Sequence, residues 1–189
     1  MLGSLKEVIC GLGEVLEPDW HLFESILREE RVAKGEFLLA EDRVCQGIHF
    51  IVKGGARTYR LLDGKEVNTS FHFEQDFVCE LESLSSGLPS GKFIQTLEAT
   101  ETIFIPKAPM IGLYQTSPAF QELGRRILEC VAITEQQYSS LFTLYSPEER
   151  YSYILQRYPH LIQRVPLQYL ASYLGVARET LSRIRKRIA

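Results

Sequence analysis

The chain has 189 residues, of which 45% are hydrophobic and 24% charged, and its net charge is −3. This composition is typical of a soluble globular protein with an apolar core and allows one or two domains. No apolar run approaches the roughly 18 residues that span a bilayer. Because the N-terminal segment carries acidic residues and no basic start, a signal peptide is also excluded. We predict a cytoplasmic protein without a membrane partner.

Helices and then strands are predicted over the first hundred residues. Apolar residues recur at helical spacing at 5–12 and 20–27, which predicts two short helices. From residue 35 to about residue 105 the period changes to two. Asp63-Gly64 separates two of the strand candidates and is a strong signal for a two-residue hairpin. The strand candidates lie at 48–53, 56–62, 67–73, 93–99 and 102–105 and predict an antiparallel barrel or roll.

The period is helical from residue 118 to residue 145. Its stripe advances in steps of four and three, which is heptad-like. This stripe consists of Ile127, Val131, Thr134, Tyr138, Leu141 and Tyr145. Packing of the stripe against the roll is one interpretation, but a long helix with such a stripe between two domains more often dimerises. We therefore predict that these residues form the seam of a twofold homodimer.

A domain boundary follows this helix. Ser146-Pro147-Glu148-Glu149 is a helix start signal, since serine caps an N-terminus and proline fits the first turn. We predict a roll domain at 1–117, a dimerisation helix at 118–145 and an all-helical domain at 146–189.

Two short helices joined by a tight turn end the sequence. Leu167, Leu170, Ala171 and Leu174 give the first helix one buried face. Gly175 supplies the turn, since glycine tolerates a positive φ. Such a pair of helices is typical of the helix-turn-helix, whose second helix enters a DNA groove.

The second helix has the chemistry of a DNA reader. Ala177, Leu181, Ile184 and Ile188 fall on its buried face, and the opposite face carries Arg178, Glu179, Ser182, Arg183 and Lys186. Arginine presents a planar fork that matches guanine O6 and N7, and glutamate accepts from cytosine N4. Residues 146–189 contain eight Lys or Arg and three acidic residues, a net charge of +5, while the rest of the chain carries −8. We predict that this helix binds the major groove of double-stranded DNA.

The segment Arg178-Glu179-Thr180-Leu181-Ser182-Arg183 resembles the recognition helix of the Crp/Fnr family of bacterial transcription regulators. The resemblance implies that Arg178, Glu179 and Arg183 contact bases and that Thr180 touches the DNA backbone. Motifs at 32–36, 50–54 and 63–66 resemble, in order and spacing, the family's cyclic-nucleotide-binding β-roll, and 118–145 would be its dimerisation helix.

This resemblance covers most of the chain and implies an α+β fold. Its parts would be an antiparallel cyclic-nucleotide-binding-like roll with flanking helices, a long dimerisation helix and a C-terminal helix-turn-helix. Because the sequence ends directly after the recognition helix, most of the family's wing is expected to be missing. The hairpin that precedes the helix-turn-helix in the family is expected to be compressed to residues 161–165.

The ligand cassette departs from the family pattern. Members that bind cyclic nucleotides use a Gly-Glu pair for the ribose and an Arg-Ser or Arg-Thr pair for the cyclic phosphate. Here Cys79 precedes Glu80 and Leu81, and Lys92-Phe93 stands at the Arg-Ser position. Lysine lacks the bidentate fork, and phenylalanine cannot donate a hydrogen bond to phosphate. Glu80, Leu81, Lys92 and Phe93 are therefore candidates for an effector pocket, but cyclic AMP is not the expected ligand and no cofactor is predicted.

The predicted function is that of a homodimeric, sequence-specific transcription regulator that reads a near-palindromic site. Its partners would be double-stranded DNA, a second copy of the chain and RNA polymerase. The roll would serve as a scaffold or would bind a different small-molecule effector. The alternative is an effector-binding or protein-interaction module whose C-terminal helices only pack. Scattered cysteines and histidines, and the lack of a nucleophile–base pair or phosphate loop, argue against a metal site and against an enzyme.

Overall fold

The computed structural model describes residues 1–12 and 16–188, and at residues 134, 135, 137–140, 142 and 143 it describes the backbone but not the side chains. The chain divides into two compact units. The first, called the roll unit, comprises Met1–Arg57 and His72–Ile133, and the second, called the helical unit, comprises Thr58–Phe71 and the residues after Ile133. The domain boundaries predicted from the sequence at residues 117 and 145 stay predictions.

Antiparallel sheets form the centre of a mixed α+β fold, as predicted. The strands are β1 (Arg28–Val32), β2 (Phe37–Leu39), β3 (Gly47–Lys53), β4 (Ala56–Leu62), β5 (Lys65–His72), β6 (Phe77–Val78), β7 (Phe93–Thr96) and β8 (Thr100–Pro106). One sheet has the order β1-β8-β3-β6, and the other has the order β2-β7-β4-β5. In the first sheet, β8 pairs with β1 and β3 on its two sides, so that Phe50 lies opposite Ile103.

The helices flank the sheets or follow them in the chain. They are α1 (Leu2–Leu12), α2 (Glu17–Glu24), α3 (Leu81–Ser86), α4 (Lys107–Tyr114), α5 (Pro118–Leu144), α6 (Pro147–Arg157), α7 (Pro159–Arg164), α8 (Leu167–Tyr173) and α9 (Arg178–Ile188). Strands β1, β2 and β6 and helices α3 and α4 are absent from the sequence prediction. The three strands are short or highly charged, and the two helices span too few turns for an apolar period to stand out.

The hairpin between β4 and β5 confirms the prediction at Asp63-Gly64. Asp63 has φ 51° and Gly64 has φ 73°, which is the pair of positive values that a two-residue type I′ turn requires.

Strand β3 has no exposed face. Phe50 and Ile51 point to opposite sides and are both 0% exposed, because α1 and α4 also pack against this strand.

The core of the roll unit includes part of α5. Ile127 and Val131 are 1% and 3% exposed and pack in the same apolar cluster as Phe50 and Ile103. Burying a side chain of this size stabilises a fold by roughly 1.5–3 kcal/mol, and here that gain is made within one chain. The predicted dimer seam is therefore corrected at these two positions, where the stripe packs against the roll.

The rest of the predicted seam lies beyond the roll unit. Leu141 is 4% exposed, so it too is buried within its own chain. Tyr145 is half-buried, and its ring stacks on that of Tyr153 with centroids 5.6 Å apart. The side chains of Thr134 and Tyr138 lie outside the described residues.

Two helices of the helical unit, α6 and α7, begin at a proline. A capping box opens α6: Glu149 Oε2 accepts from the Ser146 N–H at 2.8 Å, and Ser146 Oγ accepts from the Glu149 N–H at 3.5 Å. This confirms the predicted helix start. The compressed hairpin expected at 161–165 is wrong, because Pro159 starts α7 there and Leu161 is buried. Within the described residues, no helix is both long and apolar enough to cross a bilayer.

Candidate nucleic-acid interface and effector cassette

A tight turn joins α8 to α9. Gly175 has φ 70°, and its N–H donates to the Ser172 carbonyl at 3.1 Å. The Val176 N–H donates to the Ala171 carbonyl at 3.0 Å. These two hydrogen bonds form a Schellman motif, in which a left-handed residue ends the helix and turns the chain. The role predicted for Gly175 is confirmed, and α9 begins three residues later at Arg178.

Buried side chains hold the two helices together. Leu170, Ala171 and Leu174 of α8 are at most 2% exposed, and so are Leu181 and Ile184 of α9. The small side chain of Ala171 allows the two helices to approach closely. The predicted inner faces are therefore confirmed at these positions. The prediction is wrong at Ala177 and Ile188, which are exposed because the first precedes α9 and the second is its last residue.

The outer face of α9 presents the predicted DNA-contacting residues to solvent. Arg178, Glu179, Arg183 and Lys186 are exposed, whereas Thr180 and Ser182 are half-buried at its edges. Among the described residues, no ion pair joins Arg178, Arg183 or Lys186 to a carboxylate. Arg187 differs, because its Nη2 lies 2.7 Å from Glu148 Oε1 of α6. The residues in position to meet an anionic partner are thus the ones along the outer strip.

Arg150 is a positioning residue that the sequence analysis missed. Its Nε donates to the carbonyl oxygens of Leu141 at 3.3 Å and Tyr145 at 2.9 Å, and its Nη1 donates to that of Leu174 at 3.0 Å. One guanidinium therefore joins the end of α5 to Leu174, the residue that caps the C-terminus of α8, next to the Gly175 turn. Such charge-assisted hydrogen bonds are among the stronger ones in proteins.

Replacing Arg150 by Met should loosen this turn. Methionine keeps much of the length of the side chain but removes the Arg150 hydrogen bonds to the Tyr145 and Leu174 carbonyls, while the Leu141 carbonyl still accepts from the Tyr145 N–H. We therefore expect the helical unit to lose about 2 kcal/mol of stability. Hydrogen–deuterium exchange over residues 167–185 measures the effect, which should be faster exchange of the amides of the turn. Arg157→Met, at an exposed position of α6, is the matched control. Equal exchange in both variants would contradict the positioning role.

The hairpin formed by β4 and β5 also contacts α8. Ser172 Oγ accepts from the Asn68 N–H at 3.1 Å and donates to the Glu66 carbonyl at 2.8 Å. The rings of Phe71 and Tyr173 lie 5.1 Å apart. Helix α8 is therefore fixed by backbone hydrogen bonds to β5 as well as by apolar packing. No sequence pattern indicated these contacts, which join segments about a hundred residues apart.

In the effector cassette, the structure brings Glu80 and Lys92 together. Glu80 Oε1 lies 3.3 Å from Lys92 Nζ, and the two side chains are only 4% and 14% exposed. The other carboxylate oxygen of Glu80 accepts from the Ser83 N–H at 2.7 Å and caps α3. Both charged groups that were candidates for an effector are therefore already engaged with each other or with the backbone.

The other cassette residues have different surroundings. Phe93 packs on Phe37, with ring centroids 5.6 Å apart. Leu81 lines an apolar cavity of about 300 Å³, and Cys79 lines a second cavity of about 390 Å³. Neither Glu80 nor Lys92 lines either of these cavities. The structure does not gather the predicted effector-pocket residues around one space.

His72 gives the roll unit a dependence on pH. Burial lowers the pKa of His72 to about 4, and the neighbouring Lys92 acts in the same direction. The unfolded chain, with an ordinary histidine pKa near 6.5, binds more protons between these values. The stabilisation from neutral His72 is therefore complete above about pH 6.5 and is lost as the pH falls towards 4.

We expect the roll unit to be about 2 kcal/mol less stable at about pH 5 than at about pH 7 through His72 alone. The change in stability with pH should be smaller in His72→Gln, although His49, whose pKa burial also lowers to about 4, leaves part of it. Urea unfolding followed by the fluorescence of Trp20, the single tryptophan, measures both proteins. Equal changes in the two would contradict this assignment.

The described residues contain no group of three or more His, Cys, Asp or Glu side chains placed to hold a metal ion. Burial raises the pKa of the Cys45 thiol. It also raises the pKa of the Cys130 thiol, which is less buried. Both environments disfavour the reactive thiolate.

Comparison with known proteins finds relatives in sequence and in structure. Residues 29–117 match the cyclic nucleotide-binding domain. The transcriptional activator Anr of Pseudomonas aeruginosa is 24% identical over 199 aligned positions, covering 96% of this chain and 78% of that protein. The transcriptional activator FnrA of Stutzerimonas stutzeri is also 24% identical, and the alignment covers 88% of this chain and 72% of FnrA.

Solved structures agree on the fold. A transcriptional regulator of the Crp/Fnr family from Eubacterium rectale superposes with a TM-score of 0.71 at 18% identity, covering 92% of this chain and 83% of that one. The two chains therefore share a fold. The chain is thus similar in sequence to bacterial transcriptional activators and in fold to a Crp/Fnr regulator, and its residues 29–117 match the cyclic nucleotide-binding domain.

Proposed function

We propose that the chain is a sequence-specific DNA-binding regulator that reads bases with α9. The observation that carries this proposal is the outer strip of α9, where Arg178, Glu179, Arg183 and Lys186 are exposed while Leu181 and Ile184 anchor the helix. A recognition helix needs this division, because its inner face must be rigid and its outer face must reach base edges.

Each residue of the strip has a distinct role in this proposal. Arg178 and Arg183 lie near the N-terminal half of α9, the part that reaches base edges, and their guanidinium forks match guanine. Glu179 accepts from cytosine N4. Lys186 contributes phosphate contacts, which add affinity and salt dependence without specificity. Thr180 and Ser182, which are half-buried, contact the DNA backbone.

A homodimer is part of the proposal, with a seam that differs from the predicted stripe. Ile133 of α5 is 54% exposed and lies two positions after Val131, which the chain buries itself. We assign the dimer contact in this part of α5 to the face that carries Ile133. Two recognition helices about 34 Å apart would then reach successive major grooves of a near-palindromic site.

Replacing Ile133 by Asp should shift the chain towards the monomer, because each copy would bring an unpaired charge into the contact. Sedimentation equilibrium at micromolar protein measures the dimer fraction, and we expect a dissociation constant raised at least about 100-fold, on the scale of a buried unpaired charge. Leu22→Asp on α2, where the leucine is 48% exposed, is the matched control. An unchanged dimer in Ile133→Asp would place the seam elsewhere.

Gating by cyclic AMP does not form part of the proposal. A cyclic phosphate would have to compete with Glu80 for Lys92, because these two buried side chains already form an ion pair. Removing one partner of such a pair is costly. The regulator is instead controlled by another effector or by its abundance. It acts on transcription by occluding a promoter or by contacting RNA polymerase.

Selection from a random library of double-stranded DNA at about 0.15 M salt tests the proposal, since specificity has meaning only at a stated ionic strength. We expect enrichment of two inverted half-sites whose centres are about 10 base pairs apart. Enrichment of a single half-site would support α9 as the reader but contradict the dimer. Failure to enrich any motif would contradict sequence-specific binding and favour a module whose C-terminal helices only pack.

A further inference from the structure

The roll unit contains an apolar cavity that DNA binding does not require. It has a volume of about 300 Å³ and lies between α3, α4 and α5. Leu84, Met110, Ile111 and Ile127 are among its lining residues. Protein interiors contain few voids larger than a water molecule. Since an apolar cavity of roughly 150 Å³ already binds benzene, this one has room for about 12 non-hydrogen atoms.

A single cationic side chain distinguishes the lining of this cavity. Lys107 is half-buried at its edge, and its Nζ donates to the carbonyl oxygen of Leu84. The residues that line the cavity include no Asp or Glu. Among the described residues, no carboxylate forms an ion pair with Lys107. A half-buried ammonium beside neutral groups favours an anionic ligand, because the ligand would supply the missing charge.

Tyr114 and Gly124 also line the cavity. A Cβ atom at position 124 would collide with the Tyr114 hydroxyl, so glycine is what allows the Tyr114 ring to lie against α5. The ring adds to the apolar part of the lining, to which Ile127 and Leu128 also belong. The lining therefore combines one cation with mostly apolar groups.

We propose that this cavity binds a small apolar carboxylate, such as an arylalkyl or medium-chain acid. The carboxylate pairs with Lys107, and the apolar part packs between Leu84, Ile111 and Ile127. Leu81 also lines the cavity and directly follows Glu80, so the ligand contacts the helix that Glu80 caps. The site is separate from the Glu80–Lys92 pair and does not depend on the proposed DNA binding.

Calorimetric titration of the full chain with 4-phenylbutyrate tests this proposal. The probe has about 12 non-hydrogen atoms, for which ligand efficiency sets a Kd on the order of 10–100 µM. We expect one site per chain. The uncharged analogue 4-phenylbutanol should bind at least about tenfold more weakly, because it lacks the charge that pairs with Lys107. No binding of 4-phenylbutyrate, or equal binding of the two probes, would overturn the proposal.

Variants locate the site. Lys107→Met keeps the apolar length and removes the charge, so the carboxylate should lose about tenfold in affinity and the alcohol should lose little. Ile111→Trp, at a lining residue that is 45% exposed, should fill the cavity and abolish binding of both probes. Gly112→Ala is the matched control on α4, since a Cβ there meets nothing within 4 Å. Binding that survives both lining variants would overturn the proposal.

Discussion

Replacing both Arg178 and Arg183 by Ala should weaken binding to the selected DNA site at least about 100-fold, while binding to unrelated DNA changes much less. Each bidentate arginine–guanine contact is worth about 1–3 kcal/mol, and every chain of a dimer would lose two. Both side chains are exposed and form no ion pair among the described residues, so their loss should leave the fold unchanged. Fluorescence anisotropy with the selected site and a scrambled duplex measures the two affinities.

A charge-matched control separates base reading from simple electrostatics. Arg157→Ala removes one positive charge from an exposed position of α6 in the same helical unit, half the charge that the double variant removes, so its effect is compared per charge removed. It should weaken binding to both duplexes slightly and equally, because a diffuse loss of charge carries no sequence information. If the double variant lowered both affinities by the same factor, α9 would contribute charge only and its role as the reader would be wrong.

Replacing Lys92 by Met should destabilise the roll unit by about 3–5 kcal/mol, because it leaves the buried carboxylate of Glu80 without its partner. Glu80 is 4% exposed and also caps α3, so it cannot turn to solvent without uncapping that helix. Urea unfolding followed by Trp20, which is buried in the same unit, reports the change.

The double variant Glu80→Gln with Lys92→Met is the decisive comparison. Glutamine keeps an oxygen that can accept from the Ser83 N–H, and the pair then buries no charge. We expect most of the lost stability to return, since replacing both partners of a buried pair is often near neutral. If Lys92→Met alone were as stable as the unmodified protein, Glu80 and Lys92 would not form a buried pair, and Lys92 would again be a candidate for a phosphate contact.

Local signals were sufficient to predict much of the fold. Asp63-Gly64 and Gly175 each require a positive φ, and few residues other than Gly, Asn and Asp adopt one readily. Ser146 followed by Pro147 and two glutamates supplies a cap, a preset φ and a favourable charge for the helix start. The apolar spacing of α8 and α9 then predicted the buried faces of the helix-turn-helix.

Contacts between residues that are far apart along the chain could not be predicted from the sequence. The steps of three and four that carry Ile127 and Val131 suit a dimer seam and an intrachain core equally well, and only the presence of the roll against α5 decides between them. Arg150 reaches carbonyl oxygens at positions 141, 145 and 174, which leave no trace in residue type. Lys92 was a candidate for an effector pocket, and the structure pairs it with Glu80, twelve positions earlier in the chain.

The central claim is that α9 reads bases, and a double-mutant cycle between Arg183 and one guanine of the selected half-site tests it most directly. Four dissociation constants are measured, for the unmodified protein and Arg183→Ala on the selected site and on a duplex with that guanine replaced. We predict a coupling of about 1–3 kcal/mol at one base pair, so that the variant no longer distinguishes the two duplexes there. Additive effects at every guanine of the half-site would contradict direct readout by Arg183.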